Sequence, residues 1–122
     1  MYEEALEILT LEEHDLKESL KDGADNVKVY HDVCFHIGNC HYRLKQLEKA
    51  IEWFGKEFPG EDAKQQGQKY NNLGSCYASL DQSRLGLKYY GEALKVYGNF
   101  PEIDCSNLLN NLGLLYAKSS MF

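Results

Sequence analysis

A glycine that returns three times inside helical patterning constrains this chain more than any other feature. Gly38, Gly74 and Gly113 recur at spacings of 36 and 39 residues, each preceded by Ile or Leu and followed three residues later by His41, Tyr77 or Tyr116. Glycine in a helix interior is disfavoured by about 1 kcal/mol relative to alanine, so its recurrence needs a packing reason. Around each glycine, the residues four before, one before and three after share its stripe on a helix. Second segments follow the first two glycines, 47–54 and 83–90, where Ala50 and Phe54, or Gly86 and Tyr90, share a face that Ala93 extends. Small residues on one helix let a bulky residue on the next approach closely. A fixed period of this length marks stacked helical hairpins.

With the glycine-bearing helix named A and the one after it B, the order along the chain reads B-A-B-A-B-A. The patterning predicts helices over about 2–21, 26–43, 47–58, 62–79, 83–98 and 102–119. The domain organisation expected is a single all-α domain over 1–122: a partial repeat (helix B, 2–21), repeats over 26–58 and 62–98, and a partial repeat (helix A, 102–119). Asp25, Asp62 and Asp81 stand where N-caps or first-turn residues belong. Both chain ends fall at the turn between helices A and B. That phase fits either a slice of a longer solenoid or a small protein whose open end pairs with a second copy. The last helix, with Leu108, Leu109, Leu112, Leu114, Leu115 and Tyr116, is apolar on too many sides for a polar cap.

Composition narrows the function classes. The net charge is -6 among 122 residues, which disfavours an electrostatic grip on nucleic acid. No apolar run approaches the roughly 18 residues that span a bilayer, so membrane insertion is not expected. Cys34, Cys40, Cys76 and Cys105 all fall inside helical patterns, which suits reduced thiols in a cytoplasmic or nuclear setting. The glutamates and aspartate at 3, 4, 12, 13 and 15 read as a solvated face, with Lys17 and Lys21 nearby for ion pairs.

The motif residues are Cys34-Ile37-Gly38-His41 then Ala50-Phe54-Glu57, Tyr70-Leu73-Gly74-Tyr77 then Gly86-Tyr90-Ala93, and Leu109-Leu112-Gly113-Tyr116. This series resembles the tetratricopeptide repeat family, whose pattern runs Trp-Leu-Gly-Tyr on helix A and Ala-Phe-Ala on helix B. His41, Glu57 and Gly86 depart from it, and Lys45, Asp81 and Ser120 stand where a glycine usually separates the two helices. The resemblance implies a right-handed superhelical solenoid whose concave wall is lined by A helices and which binds proteins without catalysis. The Asn-Asn-Leu-Gly signature is similar to the adaptor branch of kinesin light chains and G-protein-signalling modulators.

By that resemblance, the groove positions include Phe35, Asn39, Tyr42 and Arg43 in the first A helix, and Asn71, Asn72 and Ser75 in the second. Asn107, Asn110 and Asn111 follow in the third. Asparagine is a poor helix former, so its accumulation here needs a reason. One reason is that its amide both donates and accepts and so can grip a peptide backbone. The alternative is that these side chains satisfy neighbouring groups or face water. A carboxylate clamp of the kind that holds chaperone tails is not expected, because Phe35, Asn107 and Asn111 stand where its cations belong.

Competing chemistry is thinner. His36 and Cys40 lie one helical turn apart, near Cys34, His41 and His31, but these side chains cannot converge on one metal from a single helix. No phosphate loop or nucleophile elbow is present. The aromatic residues Trp53, Phe54, Tyr89, Tyr90 and Tyr97 read as inter-helix packing. No cofactor or metal is expected. A non-enzymatic scaffold with a protein or peptide partner, extended or helical, is the leading reading. Self-association as a homodimer through the last helix is the alternative, and a phosphatase-like repeat protein is a minor one.

Overall fold

A computed structural model of the chain describes residues 1–19, 27–58 and 60–120. The described residues form six α-helices and no strand: α1 (Tyr2–Ser19), α2 (Val27–Arg43), α3 (Leu47–Phe54), α4 (Ala63–Ser79), α5 (Ser83–Gly98) and α6 (Ser106–Ser120). They gather into two compact units, Met1–Pro59 and Gly60–Phe122. In the first, α2 packs against both α1 and α3. In the second, α5 packs against both α4 and α6, which also touch each other. The all-α hairpin architecture read from the repeat is the one found.

Helix ends show where local chemistry overrides periodicity. Asp62 caps α4 with a reciprocal box: its carboxylate accepts from Gln65 N at 2.8 Å, and the Gln65 side chain accepts from Asp62 N at 3.0 Å. The third helix stops at Phe54 rather than near 58. Gly55 is a weak helix former, Pro59 biases Phe58 away from helical geometry, and the Phe58 ring turns onto His31 at 4.8 Å and Tyr30 at 5.6 Å. The sixth helix starts at Ser106 rather than near 102. Asp104 takes the Ser106 backbone N–H at 2.9 Å and its hydroxyl at 2.6 Å, fixing the start there. Those two bonds, the hydroxyl first, also hold the Asp104 carboxyl below its usual pKa. Cys105 therefore precedes a helix rather than lying in one.

Asp81 is not an N-cap. It takes a left-handed backbone (φ 60) just past α4, as Lys45 does (φ 62) past α2. Each closes a Schellman turn: Gln46 N donates to His41 O at 2.8 Å and Lys45 N to Tyr42 O at 3.0 Å, while Gln82 N donates to Tyr77 O at 2.9 Å and Asp81 N to Ala78 O at 3.1 Å. These two residues occupy the slot where the family places glycine. Asp25 and Lys21, which entered the sequence reading, lie outside the described residues.

The core of the first unit is built on Cys34, Ile37, Ala50 and Phe54, and that of the second on Tyr90, Ala93, Tyr97, Leu108, Leu112 and Leu115. Burying a side chain such as Ile37 stabilises the fold by roughly 1.5–3 kcal/mol. Glycine sets how closely the helices meet. A Cβ on Gly38 would lie 2.7 Å from Phe54 Cε1, and one on Gly74 would lie 2.5 Å from Tyr90 Cδ1. No side chain fits there. Glu13 is not a freely solvated carboxylate, since it accepts the Tyr30 hydroxyl at 2.8 Å and ties α1 to α2. Burial, then that bond, pushes the Tyr30 hydroxyl well above its ordinary pKa.

Candidate interaction surface

In the second unit, α4 and α6 lie side by side and bring the asparagines together. Asn111 Nδ2 donates to Asn71 Oδ1 at 3.0 Å and reaches Ser75 Oγ at 3.5 Å. Ser75 Oγ in turn shares a hydrogen bond with the Tyr90 hydroxyl at 3.0 Å. The chain of polar groups therefore runs from α6 through α4 to a tyrosine of α5 that is only 2% exposed. Its root in the core fixes the rotamers of Asn71, Ser75 and Asn111, which are half-buried. Asn72 is half-buried beside them, and Asn107 and Asn110 are exposed along α6. Among the described residues, the amides of these last three make no side-chain hydrogen bond.

In the first unit, the corresponding positions lie on α2. Phe35 is half-buried, its ring 6.0 Å from Phe54 and 5.6 Å from His36. Asn39 and Tyr42 are half-buried and Arg43 is exposed. Phe35 thus divides its ring between packing and surface, while Arg43 is the free-standing cation of the set.

The tetratricopeptide repeat model matches residues 31–56 and 70–100. Those two segments contain the glycine–ring contacts of Gly38 with Phe54 and of Gly74 with Tyr90. The chain carries tetratricopeptide repeats over these two segments. In its two matched repeats, the aromatic residues of helix B seat on the glycines of helix A, as the packing reading of the stripe required.

Three features escaped the sequence reading. Gly67 lies under the Tyr97 ring in contact too close for a Cβ, a second glycine slot seven residues before the motif glycine. That spacing, two turns along one face, was the available signal. Tyr89 stacks on Tyr77 with centroids 5.3 Å apart and on Tyr70 at 6.3 Å, so the tyrosines at the motif positions form one ring stack. Lys69 and Glu61 form a 2.7 Å ion pair with little exposure at the start of α4.

The groups weighed for other chemistry are dispersed. Cys34 and His41 are buried while His36 faces out, and among the described residues no three His, Cys, Asp or Glu side chains converge. His41 Nδ1 is engaged with Gln46 Oε1 at 2.7 Å. The four cysteines are free thiols. Burial pushes the Cys34 thiol up to about 11 and the Cys76 thiol up to about 12, the protonated state of inert core residues. No helix among the described residues is long and apolar enough to cross a membrane.

Proposed function

We propose that this chain is a non-catalytic binding module whose A-helix faces hold a peptide segment of a protein partner. Tetratricopeptide repeats are protein-interaction modules, and the polar composition of the A helices here favours recognition of backbone over side chains. The observation that carries the reading is the Asn111–Asn71 bond across α4 and α6. It fixes part of an amide face in advance, so that less conformational entropy is lost when a ligand binds. Asn72, Asn107 and Asn110 then offer donors and acceptors in pairs, the pattern an extended backbone presents. Phe35, Asn39, Tyr42 and Arg43 on α2 provide the equivalent positions in the first unit, with Arg43 adding preference for an acidic or terminal group. A reduced intracellular setting, cytoplasmic or nuclear, agrees with the four free thiols.

The test is selection of a random displayed peptide library on the whole chain, followed by affinity measurement on the enriched sequences. Substituting Asn72→Ala and Asn110→Ala together should weaken the selected peptides at least about tenfold, a loss of about 1.4 kcal/mol. Melting temperature should hold or rise, because alanine is the better helix former, and sedimentation should stay as in the parent. Unchanged affinity would remove the asparagine face from the reading.

A further inference from the structure

The three motif glycines are not equivalent. Gly38 and Gly74 each lie beneath an aromatic ring, whereas a Cβ on Gly113 would meet nothing within 4 Å among the described residues. The flanking stripe on α6 is also uncovered, with Leu109 54% and Tyr116 60% exposed. These two residues occupy the places that Tyr70 and Tyr77 hold around Gly74. On α4, that stripe is covered by α5: Tyr90 seats on Gly74 while Tyr89 stacks on both tyrosines. The surface of α6 is thus a complete seat for a B helix.

A B helix with a matching open face is present elsewhere on the same chain. Aligned on the small residue of each B helix, Ala5 in α1 and Gly86 in α5, Ile8 takes the place of Tyr89 and Leu9 that of Tyr90. Ile8 is 59% exposed, and Leu11, one turn on, is 67% exposed. We propose that α1 of one copy docks on α6 of a second copy in the register that α5 adopts on α4. That register lays Ile8 between Leu109 and Tyr116 and Leu9 over Gly113, completing a helical hairpin in trans. Charge does not oppose the pairing: α1 is rich in acidic residues, whereas α6 carries no acid and one cation, Lys118, which Asp81 already holds at 2.6 Å. The two faces are different, so the contact is heterologous, and each copy keeps one donor and one acceptor surface. This association does not use the asparagine face and stands apart from the binding function proposed above.

Sedimentation velocity on the full chain over a range of concentrations, with two variants, tests it. Gly113→Ala adds a methyl group where the isolated chain has open space, so its melting temperature should hold or rise, yet the seat for Leu9 is blocked. Ile8→Lys changes an exposed side chain of α1, the other partner of the proposed contact. The parent should grow in mass with concentration, and each variant alone should sediment as a monomer, with its association weakened at least about tenfold. An equimolar mixture of the two variants retains one good α6 and one good α1, and should form a dimer that grows no further. Asn72→Ala should associate like the parent. A parent that stays monomeric at the highest concentration, a Gly113→Ala chain that associates like the parent, a mixture that stays monomeric, or loss of association in Asn72→Ala would each overturn the proposal.

Discussion

Asn111 and Asn71 hold one another across two A helices, amide nitrogen to amide oxygen at 3.0 Å. The pair accounts for two of the five asparagines on α4 and α6, since each completes hydrogen bonding that its own helix cannot supply. A net bond of this kind contributes about 0.5–1.5 kcal/mol. Replacing either residue by Ala also recovers up to about 0.7 kcal/mol of helix propensity, enough to mask most of the loss. Single substitutions are therefore expected to look nearly neutral in urea denaturation. The double-mutant cycle of Asn71→Ala with Asn111→Ala should instead show a coupling of about 0.5–1 kcal/mol, outside the usual error of additivity. Strict additivity would mean the contact contributes nothing to the fold.

Glycine substitution should split by position. At Gly38 and Gly74 an alanine gains about 1 kcal/mol of propensity, but overpacking against Phe54 or Tyr90 costs about 1–3 kcal/mol. The approach is to rigid, buried rings at 2.7 and 2.5 Å, so the cost wins. Gly38→Ala and Gly74→Ala should each lower the denaturation midpoint, and Gly113→Ala should raise it. A rise at all three would show that the rings can step aside.

Much of this was legible because packing of this type repeats. The glycine stripe located every A helix, and the partner rings Phe54 and Tyr90 followed from spacing alone. Helix ends were less legible because they depend on single local bonds: Asp104 delays α6, and Phe58, drawn onto Tyr30 and His31 beside Pro59, ends α3 early. Asp81 could be read either as a cap or as a stand-in for glycine, and only its positive φ separates the two. The asparagine positions were found on α4 and α6, but their pairing was not. Which amides meet depends on how two helices 40 residues apart lie together, and no local pattern encodes that.

The thiols give a pH signature. Cys34 and Cys76 have folded-state pKa values near 11 and 12, above the ordinary value of 9.0, because burial disfavours the thiolate. Below pH 9 both folded and unfolded thiols are protonated, and the stability they contribute is fully present. As pH rises past 9, the unfolded chain releases protons that the folded chain retains, so stability falls until the folded pKa values are passed. Urea midpoints should drop between pH 9 and 11, and Cys34→Ala with Cys76→Ala should flatten that part of the profile. Thiol labelling at pH 8 should modify half-buried Cys105 first and the other three only on unfolding, since Cys34, Cys40 and Cys76 are buried.

Lys45 and Asp81 both sit in left-handed backbone with side chains that ordinarily avoid it. For most L-residues that conformation costs roughly 1–2 kcal/mol, whereas glycine enters it freely but loses more entropy on folding, about 0.5–1 kcal/mol. The balance favours glycine at Lys45, which is exposed and forms no ion pair among the described residues. Lys45→Gly should therefore raise stability by about 0.5–1 kcal/mol. Asp81 differs in two ways. Aspartate tolerates the left-handed region better than lysine, and its carboxylate accepts from Lys118 Nζ at 2.6 Å. That pair is solvent-exposed and contributes at most about 1 kcal/mol, less at high salt. Asp81→Gly should hence be close to neutral at low salt and mildly stabilising at high salt, while the gain from Lys45→Gly should not depend on salt. Chemical denaturation of both variants at two ionic strengths reads the difference, and equal gains at both sites would show that the Lys118 contact adds nothing to the turn.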